Sequence, residues 1–189
     1  SELAKMDKVC GHFHLSLQSG CNRTLKRMNR KYTAEQYEKA VELIRKHFPD
    51  AALTTDIIAG FPDESDNDFE ESLSFAKKIG FLKIHAFPYS PKRGTPAAAM
   101  ENQIQNSVKN ERTARLIELS DIMGEEFIER FKGRNMPVLF EREISENLYE
   151  GYTVNYIRVI AESKENIQNK ILDVKILSHE NDTAHGEII

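Results

Sequence analysis

Apolar and polar positions alternate with period two over His12-Phe13-His14-Leu15-Ser16-Leu17 and the run breaks at Gly20, which predicts a strand entering a loop. The period then becomes helical. Tyr37, Ala40, Val41, Ile44 and Phe48 fall on one face, Thr33 and Gln36 offer a capping box, and Pro49 ends the segment. Ala51 to Phe61 is a β-branched apolar run around Thr54, Thr55, Ile57 and Ile58 that halts at Gly60-Phe61-Pro62, as a buried strand does. A second helix follows, capped by Asp66 or Asp68. Phe69, Leu73, Ala76 and Ile79 form its inner stripe, Lys77 and Lys78 suit its carboxyl end, and Gly80 closes it. Phe81 to Tyr89 is the third strand. Strands separated in this way by helical patterns predict consecutive βα units and a parallel sheet.

From about Asn102 to Lys132 the spacing of Leu116, Leu119, Met123 and Phe127 predicts one long helix ending at Gly133. Beyond it the texture changes to short β pieces, Pro137 to Phe140, Tyr152 to Ala161, Ile171 to Leu177 and the closing Gly186-Glu187-Ile188-Ile189. The expected organisation is therefore an α/β region over 1–101, a bridging helix over 102–133 and a small all-β barrel over 134–189.

Composition narrows the picture. The chain has 189 residues, 40% of them hydrophobic, which is enough for a real core. With 30% charged residues, no apolar run of roughly 18 residues and no signal peptide at the start, the expectation is a cytoplasmic protein with no membrane partner. Cys10 and Cys21 are the two cysteines, and their spacing fits neither a disulfide framework nor a short metal-binding pattern, so they read as ordinary reduced thiols. A net charge of -4 means that any contact with nucleic acid must come from local patches. One such patch is visible: no acidic residue lies between Lys8 and Glu35, while Arg23, Lys26, Arg27, Arg30 and Lys31 crowd together. The same run also reads as a solvated face.

In parallel α/β architectures ligands gather at the carboxyl ends of strands, which directs attention to three loops: Gln18 to Asn22, Gly60 to Glu64, and Pro88 to Thr95. Other chemistries find no support. There is no P-loop, no G-x-G-x-x-G and no G-x-S-x-G, and His12 with His14 on one strand face makes an incomplete zinc site better read as a core or rim pair.

Taken in order, Leu17-Gln18-Ser19-Gly20-Cys21-Asn22, Leu25-Lys26-Arg27-Met28-Asn29-Arg30-Lys31-Tyr32, Thr55-Asp56-Ile57-Ile58-Ala59-Gly60-Phe61-Pro62, and His85-Ala86-Phe87-Pro88-Tyr89-Ser90 with Arg93-Gly94-Thr95 resemble the methylthiotransferase branch of the radical S-adenosylmethionine enzymes. Val138-Leu139-Phe140-Glu141 and Glu150-Gly151-Tyr152-Thr153-Val154-Asn155-Tyr156 are similar to the TRAM domain of the members acting on threonylcarbamoyl-adenosine in tRNA. The resemblance covers essentially the whole chain. It implies the second half of a (βα)6 partial TIM barrel, three parallel βα units, followed by a TRAM or OB-like barrel.

The resemblance also implies the chemistry: a methylthio group added to C2 of N6-threonylcarbamoyl-adenosine beside the anticodon, with S-adenosylmethionine and two 4Fe-4S clusters as cofactors. It assigns Gln18 and Ser19 to the ribose and methionine portion of S-adenosylmethionine. Ile58, Gly60, Phe87 and Tyr89 would line the adenine through their backbone, and Arg27 and Arg30 would meet the cofactor carboxylate or a tRNA phosphate. The family pattern C-x-x-x-C-x-x-C is not in this chain, so the cluster ligands must come from a missing amino-terminal half, and this portion alone is expected to be inert. Two features depart from the family. Asp63 stands where Gly is common, though Asp tolerates the left-handed region. Residues 134–189 carry six Lys or Arg against ten Asp or Glu, so RNA binding by the barrel needs a local face: Arg134, Arg142, Arg158 and Lys170, with Asn155 beside them and Tyr152 or Tyr156 for stacking.

Two other functions fit the same residues: a noncatalytic RNA-binding or scaffold protein, and a methylthiotransferase of the branch that modifies a ribosomal protein. Three strands without neighbours also predict self-association through an open sheet edge.

Overall fold

The computed structural model describes residues 2–6 and 8–189. They form two compact units, one of His14–Pro49 with Leu53–Ser120, the other of the chain's beginning up to Phe13 with Asp50–Ala52 and Asp121–Ile189. The long helix is thus divided between the units at Ser120 instead of forming a segment of its own.

The first unit holds most of a sheet in the order β1 (His12–His14), β2 (Ala52–Ala59), β3 (Lys83–Pro88). β2 and β3 pair in parallel from Thr54 opposite Lys83 to Ala59 opposite Pro88. β2 is buried on both faces, which is why its sequence reads as a continuous apolar run. β1 stops three residues short of the predicted Leu17 because the Thr55 side chain takes over the ladder there. Its hydroxyl accepts from Leu17 N at 2.9 Å and donates to the Leu15 carbonyl at 2.6 Å.

The helices show how local chemistry sets boundaries. α1 (Asn22–Arg27) was not expected; it holds much of the basic run, and only Thr24 and Leu25 of it are buried. α2 (Ala34–His47) begins at the predicted capping box, with Gln36 N donating to Thr33 and Thr33 N donating to the Gln36 side chain. Tyr37 from this helix is buried and donates to the Leu15 carbonyl at 2.7 Å, and burial pushes its phenol up to about 12. α3 (Asp66–Ile79) is capped by Ser65, not by Asp66 or Asp68; Asp68 is instead the reciprocal member of the box, accepting from Ser65 N at 2.7 Å. Gly80 ends it at φ +66°, in the left-handed conformation a carboxyl cap requires. α4 (Asn106–Glu129) starts four residues later than expected, after a turn in which Asn102 has φ +56°.

The second unit is a closed five-stranded barrel in the order β4 (Asn135–Ser145), β5 (Leu148–Thr153), β6 (Arg158–Glu162), β8 (Thr183–Ile188), β7 (Ile171–Glu180). All neighbours are antiparallel except β6 and β8. Val138, Phe140, Val159, Val174, Ile176 and Ala184 fill its interior. The expected single run from Tyr152 to Ala161 is two strands. Tyr156 sits at φ +69°, and the Thr153 hydroxyl accepts from Ile157 N at 2.9 Å while donating to Asn155, which locks the chain into a tight turn.

Candidate functional site

The three sequence-predicted loops emerge side by side at the carboxyl edge of the parallel sheet. Gln18 pairs with Ile57 in a parallel bridge, donating to the Asp56 carbonyl at 2.8 Å and accepting from Ile58 N at 3.0 Å. Ile58 lies opposite Phe87, and Tyr89 N donates to the Ala59 carbonyl at 2.8 Å. Gln18, Gly60 and Tyr89 therefore share one edge. The Phe61 and Tyr89 rings meet edge to face there, 5.2 Å apart.

Each loop is held from below. Ser19 is fully buried, and Gly20 N donates to Ser72 Oγ at 2.7 Å. A Cβ on Gly20 would lie 2.7 Å from Phe75 Cβ and 2.9 Å from the Ser72 backbone, so only glycine lets this loop settle on α3. Gly60 has φ +73°, and its N donates at 2.7 Å to Glu64, a carboxylate that is itself only 2% exposed. Burial pushes the Glu64 carboxyl up, opposed by the Gly60 bond and by Arg112, whose guanidinium reaches it at 2.8 Å. Asp63 stands at φ +66°, the left-handed conformation expected of it. With the N–H groups of Ile58, Gly60 and Tyr89 all committed inside the fold, a ligand lined by these residues would meet carbonyls and side chains in place of those donors.

The basic run is less uniform than its sequence. Arg23 is paired with Asp63 and Asp68, and Arg27 donates to the Pro62 carbonyl at 3.1 Å and pairs with Asp63 at 3.1 Å, so both brace the loop after β2. Lys26 and Arg30 are exposed with no acidic partner among the described residues, and Lys31 bonds Asn29. The partners of the two arginines lie 35 to 45 residues away in the chain, beyond the reach of sequence spacing.

On the barrel, Arg134 grips Asp50 through two bonds of 3.1 and 2.6 Å. Arg142 and Arg158 converge on Glu150, which is 4% exposed. Burial pushes that carboxyl up, but the hydrogen bonds and charges of Arg158 and Arg142 outweigh it and hold it below the usual range. Asn155 is buried and donates to the Asp50 carbonyl at 2.9 Å, a structural position. Lys170 is exposed. His12, Tyr156 and Tyr152 form a ring stack, with centroids 4.8 and 5.0 Å apart, and Tyr156 is 55% exposed. His14 contacts Thr54 and Asp56 at 3.0 and 3.1 Å, a rim role, and no group able to hold a metal occurs among the described residues. Cys10 is exposed, Cys21 is buried beside Asp68, and both are free thiols. None of the helices among the described residues is long and apolar enough to cross a membrane.

Three strand-end loops thus share the carboxyl edge of a parallel sheet, and the chain continues into a closed β-barrel. Comparison with known proteins agrees in class: residues 1–76 match the radical SAM superfamily. The chain is also similar over nearly its whole length to tRNA methylthiotransferases. It is 41% identical over 93% of its length to the threonylcarbamoyladenosine tRNA methylthiotransferase MtaB of Bacillus subtilis. It is 38% and 39% identical over 97% of its length to the tRNA-2-methylthio-N(6)-dimethylallyladenosine synthases of Caldicellulosiruptor saccharolyticus and Acetivibrio thermocellus. The chain spans only 38 to 40% of the length of these relatives.

Proposed function

We propose that this chain is part of a tRNA methylthiotransferase that acts on N6-threonylcarbamoyl-adenosine, contributing one wall of the S-adenosylmethionine pocket and an RNA-docking barrel. The observation that carries the reading is the convergence of Gln18, Gly60 and Tyr89 on one sheet edge, each on the motif that assigns it to the cofactor. When bound, S-adenosylmethionine and the iron–sulfur clusters supply radical chemistry and sulfur. Cys10 and Cys21 are too few to hold a three-thiolate cluster, so no step of that chemistry is assigned to this chain's residues.

The chain's own residues bind and orient. Gln18 and Ser19 present the first loop to the ribose and methionine portion, and the edge formed by Ile58, Gly60, Phe87 and Tyr89 packs the adenine. Lys26 and Arg30 neutralise phosphate, and Tyr156 stacks on an unpaired base beside Tyr152. The higher identity to the threonylcarbamoyladenosine enzyme favours that substrate over the dimethylallyl one. Nucleoside mass spectrometry of tRNA from a strain lacking the intact protein tests all of this. Loss of the 2-methylthio derivative of threonylcarbamoyl-adenosine is expected. Loss of the dimethylallyl derivative instead moves the enzyme to the other substrate, and intact tRNA with an altered ribosomal protein or no change at all removes the tRNA reading.

A further inference from the structure

The first unit contains a cavity of about 580 Å³ that shares Tyr89 with the strand-end site but whose α4 lining no motif above accounts for. It lies between the loop after β3 and the first turns of α4, and Tyr89, Gln103, Asn106, Lys109 and Asn110 give it its polar lining, with no carboxylate. Lys109 is the unusual member. It is only 4% exposed, yet its ammonium has no hydrogen bond or acidic partner among the described residues; it sits 5.3 Å from the centre of the Tyr89 ring. Its stem packs against Gly60. The face of a tyrosine contributes about 0.5–1 kcal/mol to an ammonium that keeps contact with water. The Tyr89 hydroxyl is likewise buried with no hydrogen-bond partner.

A largely buried lysine with no acidic partner among the described residues, an unsatisfied hydroxyl and amide side chains at a helix amino-terminus form a lining that an oxyanion completes. The source of the anion follows from the rim. Lys92 and Arg93, exposed and without acidic partners among the described residues, continue the positive charge outward along the loop that supplies Tyr89. A polyanion would engage both the buried and the exposed cations, whereas a lone carboxylate would use only the first. We infer that the Lys109 cavity receives a backbone phosphate of the RNA substrate, an inference that rests on the tRNA reading above.

The test is the salt dependence of binding of a labelled anticodon stem-loop to the intact protein. Lys109→Gln should weaken binding about five- to tenfold and reduce the slope of log K against log salt by roughly 0.7, the contribution of one single-strand phosphate contact. Lys109→Arg should restore most of both. Asn106→Asp places a repelling charge in the cavity while favouring the helix amino-terminus, so it should weaken binding with no loss of fold, and it carries the test alone if Lys109→Gln does not fold. Unchanged slopes in both variants overturn the inference. So does a loss of S-adenosylmethionine affinity, measured by equilibrium dialysis, with the RNA slope intact, since the anion is then the cofactor carboxylate. A slope change in a protein whose deletion leaves tRNA methylthiation unaltered keeps the phosphate site and removes the proposed function; the reverse pair removes the site alone.

Discussion

Replacing Arg112 by Met should destabilise the half-barrel in a strongly pH-dependent way. Arg112 is buried, and one nitrogen donates to both the Glu64 carbonyl at 3.1 Å and its carboxylate at 2.8 Å. A second nitrogen reaches Asp66, but that carboxylate is 95% exposed, so water replaces the contact at little cost. Met fills much of the volume and keeps contact with the Phe69 ring that the guanidinium now covers. What remains is a carboxylate 2% exposed with a single donor, Gly60 N. Removing one partner of such a pair costs about 3–5 kcal/mol. The carboxyl escapes part of this by taking up a proton: roughly 2.5 pH units from its ordinary range to pH 7, at about 1.4 kcal/mol per unit, caps the cost near 3.5 kcal/mol.

Protonation also fixes the sign. The folded pKa of Glu64 is already raised by burial and losing Arg112 raises it further, so the deficit is small at pH 4 and grows as pH rises toward 7. Native-state hydrogen exchange of the β2 amides reads this unit alone. A deficit near 3 kcal/mol at pH 7 and under about 1 kcal/mol at pH 4 is expected. Equal deficits at the two pH values would refute the electrostatic account.

Glu150→Gln should behave in the opposite sense: the folded carboxyl is held below its ordinary range, so its stabilisation, about 1–2 kcal/mol after solvent screening of the two arginines, is present at neutral pH and vanishes as pH falls through the folded value. Denaturant titrations should show a larger gap between wild type and variant at pH 7 than at pH 3. Gly20→Ala should cost about 1–3 kcal/mol by overpacking against Ser72 and Phe75, and should lower S-adenosylmethionine affinity more than stem-loop affinity; equal losses would count against the loop's assignment. Tyr156→Asn keeps a residue that tolerates φ +69° while deleting the exposed ring, and should weaken stem-loop binding roughly tenfold in fluorescence anisotropy, with an unchanged affinity excluding the stacking role. β1 and β3 each have one strand neighbour, and Phe87 on β3 is 52% exposed, so light scattering of the 189-residue chain should detect association, and a monomer at high concentration would exclude it.

Features encoded by near neighbours were legible in the sequence. The Thr33 and Gln36 box, the glycine ending α3 and the two-sided burial of β2 each depend on residues within one turn or one strand. The motif-bearing loops were placed at strand ends for the same reason. α1 escaped because six residues with two buried positions carry no measurable period. Ser65 escaped because two aspartates beside it are equally good caps, and only the fold makes Asp68 the reciprocal partner. The basic run and the barrel arginines misled in a different way: Asp63, Asp68, Glu150 and Asp50 neutralise them from 8 to 84 residues away. Lys109 carries no signal in the sequence, and only the packing of its stem against Gly60 shows it to be 4% exposed.

The order of strands around the barrel has a consequence for biosynthesis. The segment Thr183–Ile188 follows the other four barrel strands in the chain yet is wedged between Arg158–Glu162 and Ile171–Glu180, completing two ladders at once. A nascent chain on the ribosome can join the earlier four strands as hairpins and neighbours, but the ring stays open until these six residues clear the exit tunnel. Closure therefore waits on the last strand of the barrel, and until then the flanks of two strands remain available to the wrong partner.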